Sequence, residues 1–179
     1  MSIQNIEKES VFEVGTIRIN QLFDNAEIDL VIPEYQRPYV WTENQIEEML
    51  LDWEDHFFKD KIFKEDAVEY YLGAIMIYQN GEKFEIIDGQ QRLTTLLIMD
   101  YAWNQDKSVL ANNKLNFEYK SKISFSTIKK NQKFLTSQKS SLTALNFNSI
   151  VKKLVVSVIL TNTEDKAFVL FDSQNNRGM

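Results

Sequence analysis

Along residues 70–104 the apolar pattern changes from that of strands to that of a helix. The run YYLGAIMIYQ, 70–79, is strongly β-prone, and Asn80-Gly81 tolerates the positive φ of a two-residue hairpin turn. EKFEII, 82–87, therefore returns as the partner strand, and Asp88-Gly89 ends it. Leu93, Leu96, Leu97 and Tyr101, with Ile98 alongside, then recur at helical spacing to about residue 104. Upstream, VFEVGTIRINQLF, 11–23, predicts a short strand or turn and a brief helix, and EIDLVI, 27–32, a strand stopped by Pro33. Thr42 and Gln45 form a capping-box pattern before Ile46, Met49, Leu50, Trp53 and Phe57, which predicts a helix over about 43–58. Downstream, 126–153 reads as two helices with breaks near 136–141 and 146–149. LVVSVILT, 154–161, reads as a buried strand, and Thr163-Glu164-Asp165 caps a last helix carrying Ala167, Phe168, Leu170 and Phe171. The sum is an α+β fold with a β-hairpin, flanked by helices.

The length, 179 residues, suits one domain with a helical annex, and 44% hydrophobic residues can supply a core. There is no Cys, which excludes disulfides, thiolate metal sites and Cys nucleophiles. The single His, His56, excludes a zinc site built on two His and an HNH-type nuclease centre. No run of 18 apolar residues is present, and MSIQNIEKES is not a signal peptide, so the expectation is a cytoplasmic protein without a membrane span.

Charge redraws the middle of the chain. Residues 1–106 hold 8 Lys and Arg against 22 acids, a net of −14. Residues 107–153 hold 10 Lys against Glu118 alone, a net of +9. Such polarity suits either a basic segment packed on the acidic body or a surface that meets nucleic acid phosphates.

Arg is used sparingly. Of four, Arg37, Arg92 and Arg177 stand beside amides, in YQR, GQQR and QNNRG. A guanidinium fork grips phosphate or carboxylate in a bidentate way, and Gln and Asn offer both donors and acceptors. At GQQR a strand hands over to a helix. Gly89 lets the backbone approach a ligand, the first helical N–H groups are unpaired, and Arg92 opposes the helix dipole unless an anion sits between them. The alternative is that Asp88 caps the helix and Arg92 makes a surface ion pair. In IPEYQRPYVW two prolines stiffen an aromatic loop, which either plugs the core or stacks on a base while Gln36 and Arg37 address polar groups. FDSQNNRGM is either a further ligand element or an ordinary helix C-terminus.

In this order the three elements, IPEYQRPYVW, FEIIDGQQRLTTL and FDSQNNRG, resemble the N-terminal domain of GmrSD-type modification-dependent restriction proteins. The resemblance covers nearly the whole chain, with 107–150 least characteristic, and the two motifs DGQQR and IPxYQR together are specific. It implies a small mixed sheet similar to ParB and sulfiredoxin nucleotide-binding folds. In that picture 1–106 is the nucleotide-binding core, 107–153 a Lys-rich helical insertion, and 154–179 a strand and helix completing the core. It further implies binding and hydrolysis of a nucleoside triphosphate with Mg²⁺ at DGQQR, coupled to defence against phage or modified DNA. Carried over, Asp88, Gln91 and Arg92 are the catalytic set: Arg92 holds phosphates, Gln91 orients water or touches ligand, and Asp88 holds Mg²⁺ through water or caps the helix. Tyr35, Gln36, Arg37, Gly89, Gln90, Asn175 and Arg177 are the nucleotide-binding set, with Tyr35 a stacking ring and Arg37 a second phosphate or DNA contact.

The implied partners are the triphosphate, DNA, a second copy of the chain, and an HNH-type nuclease domain or subunit outside this sequence. Family chains continue beyond N-R-G, so a fragment or a sensor half is expected. The rival is a non-catalytic DNA-binding or protein-docking module that uses the Lys-rich segment.

Overall fold

The structure is a computed structural model, which describes residues 13–25, 28–104, 109–110, 117, 119–137 and 144–175. In chain order the elements are β1 (Glu13–Arg18), α1 (Ile19–Phe23), β2 (Asp29–Val31), α2 (Glu43–Phe57), β3 (Phe58–Lys59), β4 (Ile62–Phe63), β5 (Tyr70–Asn80), β6 (Lys83–Asp88), α3 (Gln90–Asn104), α4 (Lys122–Ser137), α5 (Ala144–Val151), β7 (Leu154–Thr161) and α6 (Glu164–Asn175). Five strands form a mixed sheet in the order β1-β7-β5-β6-β2. β1 is antiparallel to β7, β7 parallel to β5, β5 antiparallel to β6, and β6 parallel to β2. The fold is α+β, as the pattern predicts.

Period-two alternation divides the sheet. Ile75, Ile77, Ile86, Val156 and Val158 point to the main core, which α1, α2 and α3 fill with Ile19, Leu22, Trp53, Phe57, Leu93, Leu96 and Met99. Met76 and Ile87 point the other way and meet Ala167 of α6, with Tyr78 and Ile159 beside them. β7 is largely buried on both faces, which explains an apolar run broken only by Ser157 before Thr161. Leu135 of α4 and Phe147 of α5 belong to the main core, so these two helices of the basic segment pack on the sheet domain.

Three details differ from the sequence expectation. The hairpin turn is Gly81-Glu82, since Asn80 pairs with Lys83. Gly81 takes the positive φ, 64°, while Asn80 stays in the strand and its amide bonds Glu85 at 2.9 Å. Secondly, directly after α2, whose span agrees with the expectation, β3 and β4 make a small unexpected ribbon turning at Asp60 and Lys61, both at positive φ. Thirdly, Tyr101 and Phe168, expected on apolar faces, are exposed. Gln45 does reach back to the Thr42 N–H, 2.7 Å, as the capping box requires. His56 sits edge-on to Phe57 and Tyr70 and bonds the Val68 carbonyl, a packing role.

Candidate functional site

The loop between β2 and α2 is held by side-chain amides reaching its backbone. Gln36 donates to the carbonyls of Ile86 (3.1 Å) and Ile87 (2.7 Å) at the end of β6. One residue on, Gln90 donates to Arg37 O at 3.2 Å. Gln91 then donates to Pro38 O (3.0 Å) and accepts from the N–H groups of Val40 (2.9 Å) and Trp41 (3.3 Å). The loop therefore runs along the end of β6 and over the first turn of α3.

Helix α4 closes this loop from the other side. Ser124 accepts from Tyr39 N–H at 2.9 Å, and Asn131 donates to Tyr39 OH (3.1 Å) and Trp41 O (2.7 Å). The buried Tyr39 hydroxyl also meets Thr95 Oγ1 at 2.8 Å. Thr95 spends its one proton on Gln91 O, 2.9 Å, so Tyr39 must be the donor to Thr95. Protons thus point one way along Asn131, Tyr39, Thr95 and the Gln91 carbonyl. Burial raises the Tyr39 pKa, which keeps this donor protonated.

Arg92 is turned onto the sheet. Its Nη1 donates to Leu72 O (2.8 Å), its Nη2 to Ala74 O (2.5 Å), and Asp88 lies 3.9 Å away. Between those carbonyls sits Gly73, at φ 114°, where the β5–β7 register shifts. A Cβ there would lie 1.9 Å from Nη1, so the guanidinium occupies the space that a side chain would take. Gly89, at φ 95°, makes the sharp turn from β6 into α3 and lies close against Ile75.

Among the described residues the Asp88 carboxylate caps no backbone N–H; Leu93 N–H bonds Gly89 O. The N–H groups of Gln90, Gln91 and Arg92 have no acceptor among the described residues, and the buried Gln90 Oε1 has no donor. Arg37 is tied by its carbonyl to Gln90 while its side chain is exposed and makes no ion pair among the described residues. Arg37, Asp88, Gly89, Gln90, Gln91 and Arg92 are therefore brought to one junction. Tyr35 stands further along β6, its hydroxyl on Glu85 at 3.1 Å. It walls a cleft of about 510 Å³ with Gln36, Pro38, Lys83, Tyr119 and Lys120. Burial raises the Tyr119 phenol to about 12. Asn175 ends α6, and Arg177 lies outside the described residues.

Sequence reasoning missed Gly73, Ser124 and Asn131. An isolated Gly inside a β-prone run was the available signal for the first, since it marks a bulge or a close approach.

The family model for the GmrSD restriction endonuclease N-terminal domain matches residues 19–179. The chain belongs to this family. As a GmrSD N-terminal domain it is part of a restriction system, a phage defence, in which the full protein pairs it with a C-terminal nuclease. Comparison with curated proteins finds no match. Among the described residues of this GmrSD domain no helix is long and apolar enough to cross a membrane, and no three acidic or His side chains cluster as a metal site.

Proposed function

We propose that the junction of β6 and α3 binds a nucleoside triphosphate and supports its hydrolysis, making the domain a nucleotide-dependent sensor within its restriction system. The observation that carries this is the set of three first-turn N–H groups that have no acceptor among the described residues, beside an exposed Arg37 that has no counter-ion among them. Donors aligned at a helix N-terminus favour an anion through both hydrogen bonds and dipole. Arg37 and the backbone amides of Gln90 and Gln91 hold phosphate. Arg92 fixes the β5 bulge behind them and presents its remaining N–H groups. Gln91, with both amide atoms occupied by the loop, acts by positioning that loop.

A lone carboxylate, Asp88, suits Mg²⁺, which arrives on phosphates and keeps most of its waters. Mg²⁺ supplies charge neutralisation on the phosphates when bound. Tyr35 bonds Glu85, three residues before Asp88, so it lies about 10 Å along β6 at strand rise. That is the order of length from a nucleotide's phosphates to its base, which supports stacking on Tyr35 from the side of the larger cleft.

The test is Arg37→Ala. Its exposed side chain makes no hydrogen bond or ion pair among the described residues, so the melting point should hardly change while triphosphate affinity falls. One lost charge-assisted contact is worth about 1.5–3 kcal/mol, roughly ten- to hundredfold. Calorimetric titration with Mg²⁺ reads this directly, and unchanged affinity would overturn the proposal.

A second reading, DNA contact, has its own observation. On α4, Ser124, Asn131 and Leu135 are buried while Lys122, Lys129 and Lys133 share the opposite, exposed face. Lys130 at the margin pairs with Glu43 at 3.6 Å, and Lys129 lies over the Phe125 ring, 4.3 Å from its centroid. The three outward Lys fit phosphates along a duplex. Replacing each by Gln should flatten the slope of log K against log salt for duplex DNA by about 0.9. An unchanged slope would remove α4 from the DNA interface.

A further inference from the structure

Sharing Tyr35 and Glu85 with the larger cleft is a smaller one of about 140 Å³, with Tyr35, Tyr78 and Phe168 as walls and Glu85, Glu164 and Asn80 at its margin. Tyr35 and Phe168 meet with centroids 6.4 Å apart and planes tilted by 31°. Rings already in contact leave no slot for a flat base between them, so together they form one aromatic wall. Both rings are about half exposed, Tyr35 48% and Phe168 52%, so each keeps apolar surface open to a ligand.

Among the described residues no cation lines this cleft. Glu85 takes hydrogen bonds from Tyr35 OH and Asn80 Nδ2, which orient its carboxylate without neutralising it. Glu164, in the first turn of α6, makes no ion pair among the described residues. Both carboxylates, after burial, help raise the Tyr35 and Tyr78 phenols, so their field reaches the walls. Aromatic faces that carry negative quadrupole and two carboxylates with no counter-ion among the described residues attract the same ligand, a compact organic cation. They repel polyphosphate.

We infer that the cleft between Tyr35, Tyr78 and Phe168 binds an alkylammonium group, as carried by a lysine side chain or a polyamine. The apolar stem lies along the aromatic wall and the ammonium donates to Glu164 and Glu85. The site shares the Tyr35 ring with the proposed nucleotide site, but Glu164, Tyr78 and Phe168 belong to it alone, so it is tested through them.

Titration with n-butylammonium, followed by NMR of the Tyr35, Tyr78 and Phe168 ring resonances, tests the shared chemistry. Saturable shifts confined to these rings are expected, weakened roughly tenfold by Glu164→Gln, which removes a charge-assisted contact from an exposed helix position. Phe168→Ala, also at an exposed position, should weaken them independently. N-acetyl-lysine methylamide and spermidine separate the two sources, the tighter binder naming the one used. Equal shifts with n-butanol would overturn the cationic assignment, and so would the absence of saturation or binding unaffected by both substitutions. Triphosphate affinity should be unchanged in Glu164→Gln, so failure here leaves the nucleotide proposal to stand or fall on Arg37.

Discussion

Gly73→Ala is expected to unseat Arg92. The new Cβ would lie 1.9 Å from Nη1, so the guanidinium has to leave the Leu72 and Ala74 carbonyls or the β5 backbone has to move. Two costs then add. Holding Ala at φ 114° strains the backbone by about 1–3 kcal/mol. Losing a charge-assisted hydrogen bond costs about 1.5–3 kcal/mol more. In a chain of this size each kcal/mol lowers the melting point by about 2–4 °C. Arg92→Ala removes the clash along with the hydrogen bonds, so adding Gly73→Ala to it should bring only the strain. The pair is therefore strongly non-additive, in the way of residues that share one contact. Gly15→Ala in β1 is the control, because nothing lies within 4 Å of a Cβ there and the change should be nearly silent. Denaturant unfolding of the two single variants and the double variant measures all of this. Strictly additive costs would show that Arg92 does not rest on Gly73.

The same glycine shows what the sequence made legible and what it hid. Strand and helix periods gave the β5–β6 hairpin, α2 with its capping box, the buried β7 and the position of α3, because burial of one face leaves its mark on every second or every third and fourth residue. The turn slipped by one residue because Asn80 and Gly81 both tolerate positive φ, and only Gly81 uses it. The Asp60-Lys61 turn left only a faint signal, since Asp takes the left-handed conformation occasionally and Lys rarely. At the site, residue types pointed to the strand-to-helix junction but not to the partners of its side chains. Gln36, Gln90 and Gln91 spend their amides on backbone carbonyls and N–H groups about fifty residues away, and backbone acceptors carry no sequence signature. One hint was available. In LTTLLIM apolar residues surround the helix on nearly every side, and Thr94 and Thr95 are buried with them. A helix enclosed all round has an enclosed first turn, and polar groups there must be paired within the protein or by a ligand.

That distinction separates the two neighbouring glutamines, and it can be measured. Gln91 has both amide atoms occupied, by Pro38 O on one side and by Val40 and Trp41 N–H on the other. Gln91→Leu keeps the volume but strands three backbone groups, each worth about 1–3 kcal/mol if it stays dry. The variant should lose several kcal/mol at most and at least one, and hydrogen exchange should show the Val40 and Trp41 amides losing protection. Gln90 differs. It makes a single bond of 3.2 Å to Arg37 O, and its Oε1 is buried without a donor. Gln90→Leu gives up that bond and at the same time removes an unpartnered buried acceptor, two effects of similar size and opposite sign. Its stability should stay within about 1 kcal/mol of the parent, while triphosphate affinity falls because Arg37 loses its tether to α3. Equal destabilisation by the two substitutions, with affinity intact in Gln90→Leu, would make both glutamines mere fasteners of the loop and take the junction's first turn out of ligand binding.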